Sequence, residues 1–460
     1  MQSEIYKIKK GIQLNLIGEA QKAVKLMPAT PCAINPPDFR WLVPKLIVDE
    51  GDCVKVGTPL FCNKNDESIR IVSPVSGTVC KIVRGEKRKL EHIVITSDGK
   101  STCEDITIKE DNREDIIETL LVSGLWTFIL QRPFAAIANP ADMPKAVFVS
   151  CFDSAPLAPD YSFILKDKAK EFAKGIEIIS KLTIGKTFLC LKADSDNSIF
   201  EDIATVEKCY FSGPHPSGNI GTQIHTIAPL GKGEVIWYAN PQDIATIGNL
   251  FLNGKLDFSK TIAVCGESIE NPCYLKLING ASLSPTLTKT TKGYKLNNTD
   301  EPTFDTVIKD TYTRIISGNI LTGKAITDEC FLRYYDNQVT LIPEGGKREL
   351  FGWLMPGINK WSLSHTYLSW LFKHKKYSLD TSLHGGRRSM VVSDVYEKVF
   401  PFSILPIELL KACEIKDIEL MEELGIYEVV EEDFATCELV CPSKTECQQI
   451  IYEGLSLLRK

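Results

Sequence analysis

Cys437, Cys441, Pro442 and Cys447 stand close together in "FATCELVCPSKTEC". An iron–sulfur cluster needs four thiolates on a tight loop, and the run C-x2-C-x2-C-x3-C-P supplies them. Cys441-Pro442 matches the end of that run, and Cys437 lies one C-x3-C step earlier. The two preceding ligand positions hold Phe434 and Glu431, and Cys447 falls outside the register. Two thiolates in register cannot hold a cubane, so Cys437 and Cys441 read as packed or capping cysteines. No C-x-x-C pair occurs, which removes the commonest zinc signature.

Three other groups could do chemistry. "FSGPHPSGNIGTQIH" offers His215 and His225 around Gly213, Gly218 and Gly221. It lacks the Gly-Lys-Ser/Thr end of a phosphate-binding P-loop, and two histidines without a third ligand make a poor metal site. The choice is between a loop held by glycine and proline and proton delivery by an imidazole, which titrates near neutral pH. "GGKRELFGWLMPGINKW" places Phe351, Trp353 and Met355 where they pack under an interface or face a partner or flat ligand. "HGGRRSMV" puts Arg387 and Arg388 after a glycine pair, an anion contact or a solvated turn. No serine, histidine and acid arrangement stands out.

The fourth stretch, "SGLWTFILQRPF", follows a helix and precedes a strand, the setting of a phosphate loop. It has one glycine, Gly124, then the bulky Leu125, Trp126 and Phe128, with Arg132 and Phe134 beyond. Two readings stand. Trp126, Phe128, Arg132 and Phe134 form a flat aromatic wall with one guanidinium donor, or the rings are core beneath a sheet and Arg132 is in an ion pair.

The elements that must position these groups follow from pattern. A chain of 460 residues forms roughly three or four domains. A formal charge of −6 argues against a nucleic-acid partner. "MQSEIYKIKKG" has no apolar h-region, and no run reaches the ~20 apolar residues of a membrane span. Fifteen cysteines without a secretory leader read as reduced cytosolic thiols. The reading is a soluble, cytoplasmic chain able to sit on a membrane complex.

Residues 1–105 read as β. "EGDCVKVGTPL" and "PVSGTV" are similar to the signatures of lipoyl and biotinyl barrel-sandwich domains. Those carry a modified lysine at a hairpin tip. Here Lys64 in "CNKNDESIR" lies about two residues out of place, which leaves the fold without the carrier function. Over 106–255, helices ("REDIIETLLVSG", "AKEFAKGIEIISKLT", "NPQDIATIGNLFLNG") alternate with strands ("KAVFVSC", "KTFLCLKA"), implying a parallel sheet covered by helices, a Rossmann-like α/β domain. Residues 256–345 are strand-rich and fit a β-grasp module. Residues 346–460 turn helical through "HTYLSWLFKH", "PIELLKACE", "DIELMEELGI" and "TECQQIIYEGLSLL". The fold class is α/β multidomain.

Taken together, "IKKGIQL", "SGLWTFILQRPF", "FSGPHPSGNIGT", "ELFGWLMPG" and "CELVCPSK" resemble the A-subunit family of bacterial sodium-translocating NADH:quinone reductases over essentially the whole chain. That family is in turn similar to the flavin-binding subunit of complex I and the C subunit of the Rnf complex. Those relatives combine a lipoyl-like module, a Rossmann-like domain, a β-grasp (SLBB) domain and a helical domain, and carry a glycine-rich loop just after the helix that ends here at Gly124. Bulk after Gly124 would block the close backbone approach a phosphate needs, and two of the relatives' cluster cysteines are replaced.

The resemblance implies a peripheral subunit on the cytoplasmic face of the inner membrane, partnered by five other subunits of a complex that passes electrons from NADH to quinone and exports Na⁺. It implies no cofactor in this chain, with NADH, flavin and iron sites in the partner subunits. A quinone asks for a flat, apolar slot with a polar group for its carbonyls, and Trp126, Phe128, Arg132 and Phe134 have suitable chemistry for its wall, with core packing and an ion-paired Arg132 as the other reading. The alternatives are a ligand-free scaffold and an electron-transfer subunit that binds flavin or NADH.

Overall fold

The computed structural model describes residues 5–27, 31–284, 287–290, 293–296, 313–326, 331–345, 355–364, 366–372, 375–391 and 393–459. Phe351 and Trp353 lie outside them. Seven strands form the central sheet, in the order Ile5–Lys7, Glu207–Ser212, Lys186–Lys192, Ala146–Ser150, Ile236–Ala239, Leu130–Arg132, Ala136–Ile137. The first five run parallel, and Leu130–Arg132 pairs antiparallel with both of its neighbours. Ala146–Ser150 and Lys186–Lys192 are buried along almost their whole length, as strands covered on both faces must be.

The helices start and stop where their end residues require. Arg113–Val122 begins with the Asn112 side chain accepting from the Asp115 amide, and it is followed by Gly124 at φ 75°. Pro241–Asn253 begins with Asn240 accepting from the Gln242 amide and ends on Gly254 at φ 67°. It crosses Ala169–Ser180 at two glycines. A methyl added at Gly248 would sit 1.7 Å from the Glu171 carbonyl oxygen, and one at Gly175 would sit 2.0 Å from that of Ile244. Gly248→Ala should therefore force the helices apart and lower stability by about 1–3 kcal/mol in a denaturant titration.

The N-terminal barrel-sandwich consists of a sheet in the order Cys32–Ile34, Leu90–Ser97, Gly77–Arg84, Cys53–Val54 and a second one, Pro44–Leu46, Pro59–Asn63, Asp66–Val72. Lys64 stands exposed in the turn between Pro59–Asn63 and Asp66–Val72, its amide bonded to the Val43 carbonyl. The first strands of the chain pair elsewhere. Ile5–Lys7 is the edge of the central sheet, and Gln21–Leu26 pairs in parallel with Cys273–Ile278. The latter sits in a mixed six-stranded sheet, continued by Ser259–Cys265, Gln338–Pro343, Thr313–Ser317 and Lys324–Ala325. Alternation in "YLKLI" and "QVTLIP" found these strands but carries no address for a partner some 250 residues away.

Pro406–Ile415, Ile418–Glu423, Ala435–Val440 and Cys447–Leu458 build the C-terminal helical region around Phe400, Phe402, Phe434 and Met421. "HTYLSWLFKH" does not continue the helical pattern. Among its described residues it forms one 3-10 turn, Leu368–Leu371, with Leu368, Trp370 and Leu371 exposed. Helix propensity alone does not hold so short a segment in a helix.

Candidate functional site

The segment after Gly124 is a 3-10 turn, Leu125–Phe128, and all four residues are buried. Within it Leu125 N–H donates to Ser123 Oγ and Thr127 N–H to the Gly124 carbonyl, and just beyond it Ile129 N–H donates to the Trp126 carbonyl. The Trp126 ring is 1% exposed, donates its indole N–H to the Ala138 carbonyl at 2.7 Å, and stands edge-on to Trp237 at 5.4 Å. Thr127 is clamped from the six-stranded sheet side: its hydroxyl meets Tyr334 Oη at 2.9 Å and its carbonyl accepts from Tyr335 Oη at 2.8 Å. Trp126 thus sits in the core of the central sheet.

Arg132 is 1% exposed and makes two carboxylate contacts across to the C-terminal region, to Asp433 Oδ2 at 2.8 Å and Glu432 Oε1 at 2.6 Å. Burial alone would depress the guanidinium pKa, but Asp433 and then Glu432 outweigh it and push it up. The Asp433 oxygen that meets Arg132 also accepts the Val430 amide at 2.9 Å. Phe134 lies half-buried, edge-on to Tyr427, and its carbonyl accepts from the Trp41 indole at 2.9 Å. Of the four proposed wall residues, Phe128 lines the cavity beside this turn.

That cavity, of about 260 Å³, lies at the carboxyl ends of the parallel strands. From Ala146–Ser150 the chain winds outward through Lys186–Lys192 to Glu207–Ser212, then returns to place Ile236–Ala239 on the other side. Ligands of open α/β sheets bind where winding reverses in this way. Ser150, Asp153, His215, Asn219, Asn240 and Asp243 surround the point, with Phe128, Tyr238 and Tyr335 as aromatic walls. A second, larger cavity of about 770 Å³ adjoins it and shares Phe152, Asp153 and His215.

The two glycine-bearing motifs of the sequence meet here. Ile12 N–H donates to the His215 carbonyl at 2.7 Å, and a side chain at Gly11 would strike that carbonyl. "IKKGIQL" and "FSGPHPSG" thus line one opening, and Leu439 of "CELVC" joins it. Ser154 Oγ accepts the Gly218 amide at 2.7 Å, so its hydroxyl hydrogen is free for His215 Nδ1 at 3.1 Å. That assigns the ring hydrogen to Nε2, which has no partner. Burial lowers the His215 pKa to about 4, so at neutral pH the ring is uncharged. His225 has another fate: Nδ1 meets Glu428 Oε2 at 2.7 Å and Nε2 accepts the Ser403 amide at 3.0 Å, fastening the α/β domain to the C-terminal region.

The carboxylates around the cavity are held uphill. Burial raises Asp153, and it pushes Asp243 up to about 6 against the pull of Lys260, 3.9 Å away. Glu432 is raised by burial too, with Arg132 opposing. For Asp243 the consequence has a definite sign. Below the unfolded value of ~3.9 both states hold the proton and there is no penalty. The penalty grows as pH rises to about 6 and is constant above. The stability of the wild type relative to Asp243→Asn should fall by about 2–3 kcal/mol between pH 4 and pH 6, read from denaturation at each pH.

Cys437 and Cys441 are fully buried, and so is Cys447, which joins them in space although it lies out of register. The Tyr396 hydroxyl stands among them, donating to Cys441 Sγ at 2.8 Å and 3.7 Å from Cys447 Sγ. Burial raises Cys437 strongly and takes Cys447 to about 12. At Cys441 burial is outweighed by donors from Tyr396 and Thr445, and its pKa falls. Among the described residues no His, Cys, Asp or Glu group has a metal-holding arrangement.

Sequence reasoning missed Ser150, Tyr161, Asn240 and Asp243. Their one signal was position: each sits at or near a strand-to-helix junction of a parallel sheet. It also missed Tyr334 and Tyr335, which clamp the turn from 207 and 208 residues away.

A barrel-sandwich module followed by an open parallel α/β domain, its cavity at the winding reversal, defines a class of chain with known members. Residues 6–98 match the family model described as the NqrA N-terminal barrel-sandwich hybrid domain, and residues 111–256 the NqrA second alpha/beta domain. The A subunit of the Na(+)-translocating NADH-quinone reductase from Neisseria meningitidis serogroup B is 36% identical, with 99% of each chain covered. Its counterpart in Pasteurella multocida is 35% identical over 98% of this chain and 99% of its own. That of Rhodopirellula baltica is 34% identical over 99% and 98%. This chain belongs to the family of the A subunits of Na(+)-translocating NADH-quinone reductases. No helix among the described residues is long and apolar enough to cross a membrane.

Proposed function

We propose that this chain is a peripheral member, on the cytoplasmic face of the inner membrane, of a complex that couples NADH:quinone electron transfer to Na⁺ export. In this reading it holds neither flavin nor iron–sulfur cluster, works with five partner subunits, and receives the ring of a quinone. Its α/β domain is Rossmann-like and its mixed six-stranded sheet is an SLBB-like β-grasp.

The filled turn Leu125–Phe128 carries the reading. A phosphate needs free, converging amides and room to approach them; here buried side chains fill the space, and the Leu125 and Thr127 amides already have acceptors. Asp153, Asp243 and Glu432 around the neighbouring cavity further disfavour a phosphate-bearing ligand. A quinone is flat and uncharged and asks for aromatic faces and a donor to a carbonyl. Phe128, Tyr238 and the His215 Nε2–H supply them. The Tyr396 hydroxyl set between Cys441 and Cys447 supports an absent cluster.

Absorption spectra, iron assay and tryptophan quenching by a short-chain quinone on the purified chain test this. The expected chain is colourless, free of iron, and quenched saturably, with affinity reduced roughly 3–10-fold in His215→Ala, the worth of one hydrogen bond. A flavin band or stoichiometric iron would overturn the cofactor-free reading, and non-saturable quenching the quinone site.

A further inference from the structure

Over residues 355–364, 366–372 and 375–377 the chain folds back on itself. Leu368 N–H donates to the Pro356 carbonyl at 3.0 Å, Lys375 Nζ to Asn359 Oδ1 at 2.6 Å, and Tyr367 packs over Gly357. The fold-back is anchored to the body at Tyr377, whose backbone exchanges hydrogen bonds with Asn15 and Ile17. Anchored so, it nevertheless turns its large apolar side chains outward: Met355 is 60% exposed, Trp370 48%, Leu371 56% and Phe372 52%, with Ile358 and Leu368 beside them. A cluster of this kind on a folded surface marks a contact.

The charge around it says with what. Residues 355–391 carry six Lys and Arg against one acid, Asp380, in a chain whose net charge is −6; Glu19 and Glu446 from elsewhere in the chain meet Lys376 and Arg387. Lys360 lies over the Tyr367 ring at 5.7 Å and Lys375 over Phe372 at 5.8 Å, so the ammonium groups rim the apolar patch. Lysine is depleted at protein–protein interfaces. It is enriched, beside tryptophan and phenylalanine, where a protein rests on anionic headgroups.

We propose that this fold-back seats the chain on an anionic phospholipid bilayer, with Met355, Leu368, Trp370, Leu371 and Phe372 entering the interface and Lys360, Lys375 and Lys376 meeting the headgroups. The inference rests on the peripheral placement proposed above and gives it a surface and a lipid chemistry.

The test is co-sedimentation of the full chain with phosphatidylcholine vesicles with and without phosphatidylglycerol, at low and high salt. Binding should be at least ~10-fold tighter with the anionic lipid and weaken with salt. Lys375→Glu with Lys376→Glu should lose at least ~10-fold of it, since each basic residue near the surface contributes severalfold. Leu371→Glu with Phe372→Glu should abolish it. These side chains are exposed or at the rim, so an unchanged melting curve shows that a variant is folded. No sedimentation with anionic vesicles, no lipid preference, or variants that bind like the wild type would overturn the proposal. If the wild type ignores vesicles while Leu371→Glu with Phe372→Glu no longer co-purifies with the membrane subunits, the patch is a protein interface. The proposal then falls and the peripheral placement stands. A wild-type chain that co-purifies with no other subunit would instead overturn the placement.

Discussion

Arg132→Leu is expected to lower the stability of the folded chain by about 3–5 kcal/mol. The substituted side chain is almost as large, so little of the loss is cavity. The loss arises at Asp433, whose side chain is fully buried and would lose its counter-ion. Glu432 is 39% exposed at the side chain and retains water, so it contributes less. Because Arg132 is on the central sheet and Asp433 in the C-terminal region, release of the latter should precede global unfolding. Limited proteolysis would then show early cleavage in the C-terminal region, and denaturant titration would show an added low-concentration transition. Arg132→Leu with Asp433→Leu should recover most of the stability, since an apolar pair of fitting volume replaces a buried ion pair at little net cost. If the single variant melts like the wild type, the pair carries no such energy.

Trp126→Leu is expected to cost about 2–4 kcal/mol, through lost packing against Trp237 and a carbonyl at Ala138 left without its donor. It should leave quinone affinity unchanged, because the ring faces the core and not the cavity. Phe128→Leu should do the reverse in part. It loosens a ring that lines the cavity and stacks on Tyr334 at 5.7 Å, so affinity falls with a smaller stability loss. Loss of quenching tracking Trp126→Leu, with the melting curve unmoved, would place that ring against the ligand instead. Because Trp126 is itself a fluorophore, affinity in this variant is best read by calorimetry or equilibrium dialysis.

These contrasts show which parts of the molecule sequence patterns can reach. Ala146–Ser150, Lys186–Lys192 and the helices ending at Gly124 and Gly254 are legible because periodicity and a terminal glycine are local signals. The filled state of the turn after Gly124 is also legible, from side-chain volume alone. Whether its aromatic residues face core or ligand is not, because that depends on Trp237, Tyr334 and Tyr335, each over a hundred residues away. Spacing alone excludes Cys447, yet a helix start brings it beside Cys437 and Cys441. The cavity leaves no trace in the sequence because Ser150, Asn240 and Asp243 form no motif. They share only a level in the sheet, and that level exists once strand order is known. The exposed residues of "HTYLSWLFKH" are the opposite case, where an apolar pattern is real but, among the described residues, builds a 3-10 turn with exposed side chains and no amphipathic helix.

The strand Ile5–Lys7 pairs with Glu207–Ser212, and Gln21–Leu26 with Cys273–Ile278. On the ribosome this means that the segments made first are fastened late. At about 5–20 residues per second, Ile5–Lys7 waits about 10–40 s for its neighbour to be synthesised. The barrel-sandwich after it can close at once, since its strands lie within residues 32–97. The leading segment therefore trails free as a thread while modules complete behind it, and stitches two of them together at the end. A chain in which that thread is occupied too early, by a fused tag or a neighbouring nascent chain, should assemble its modules and yet fail to join them.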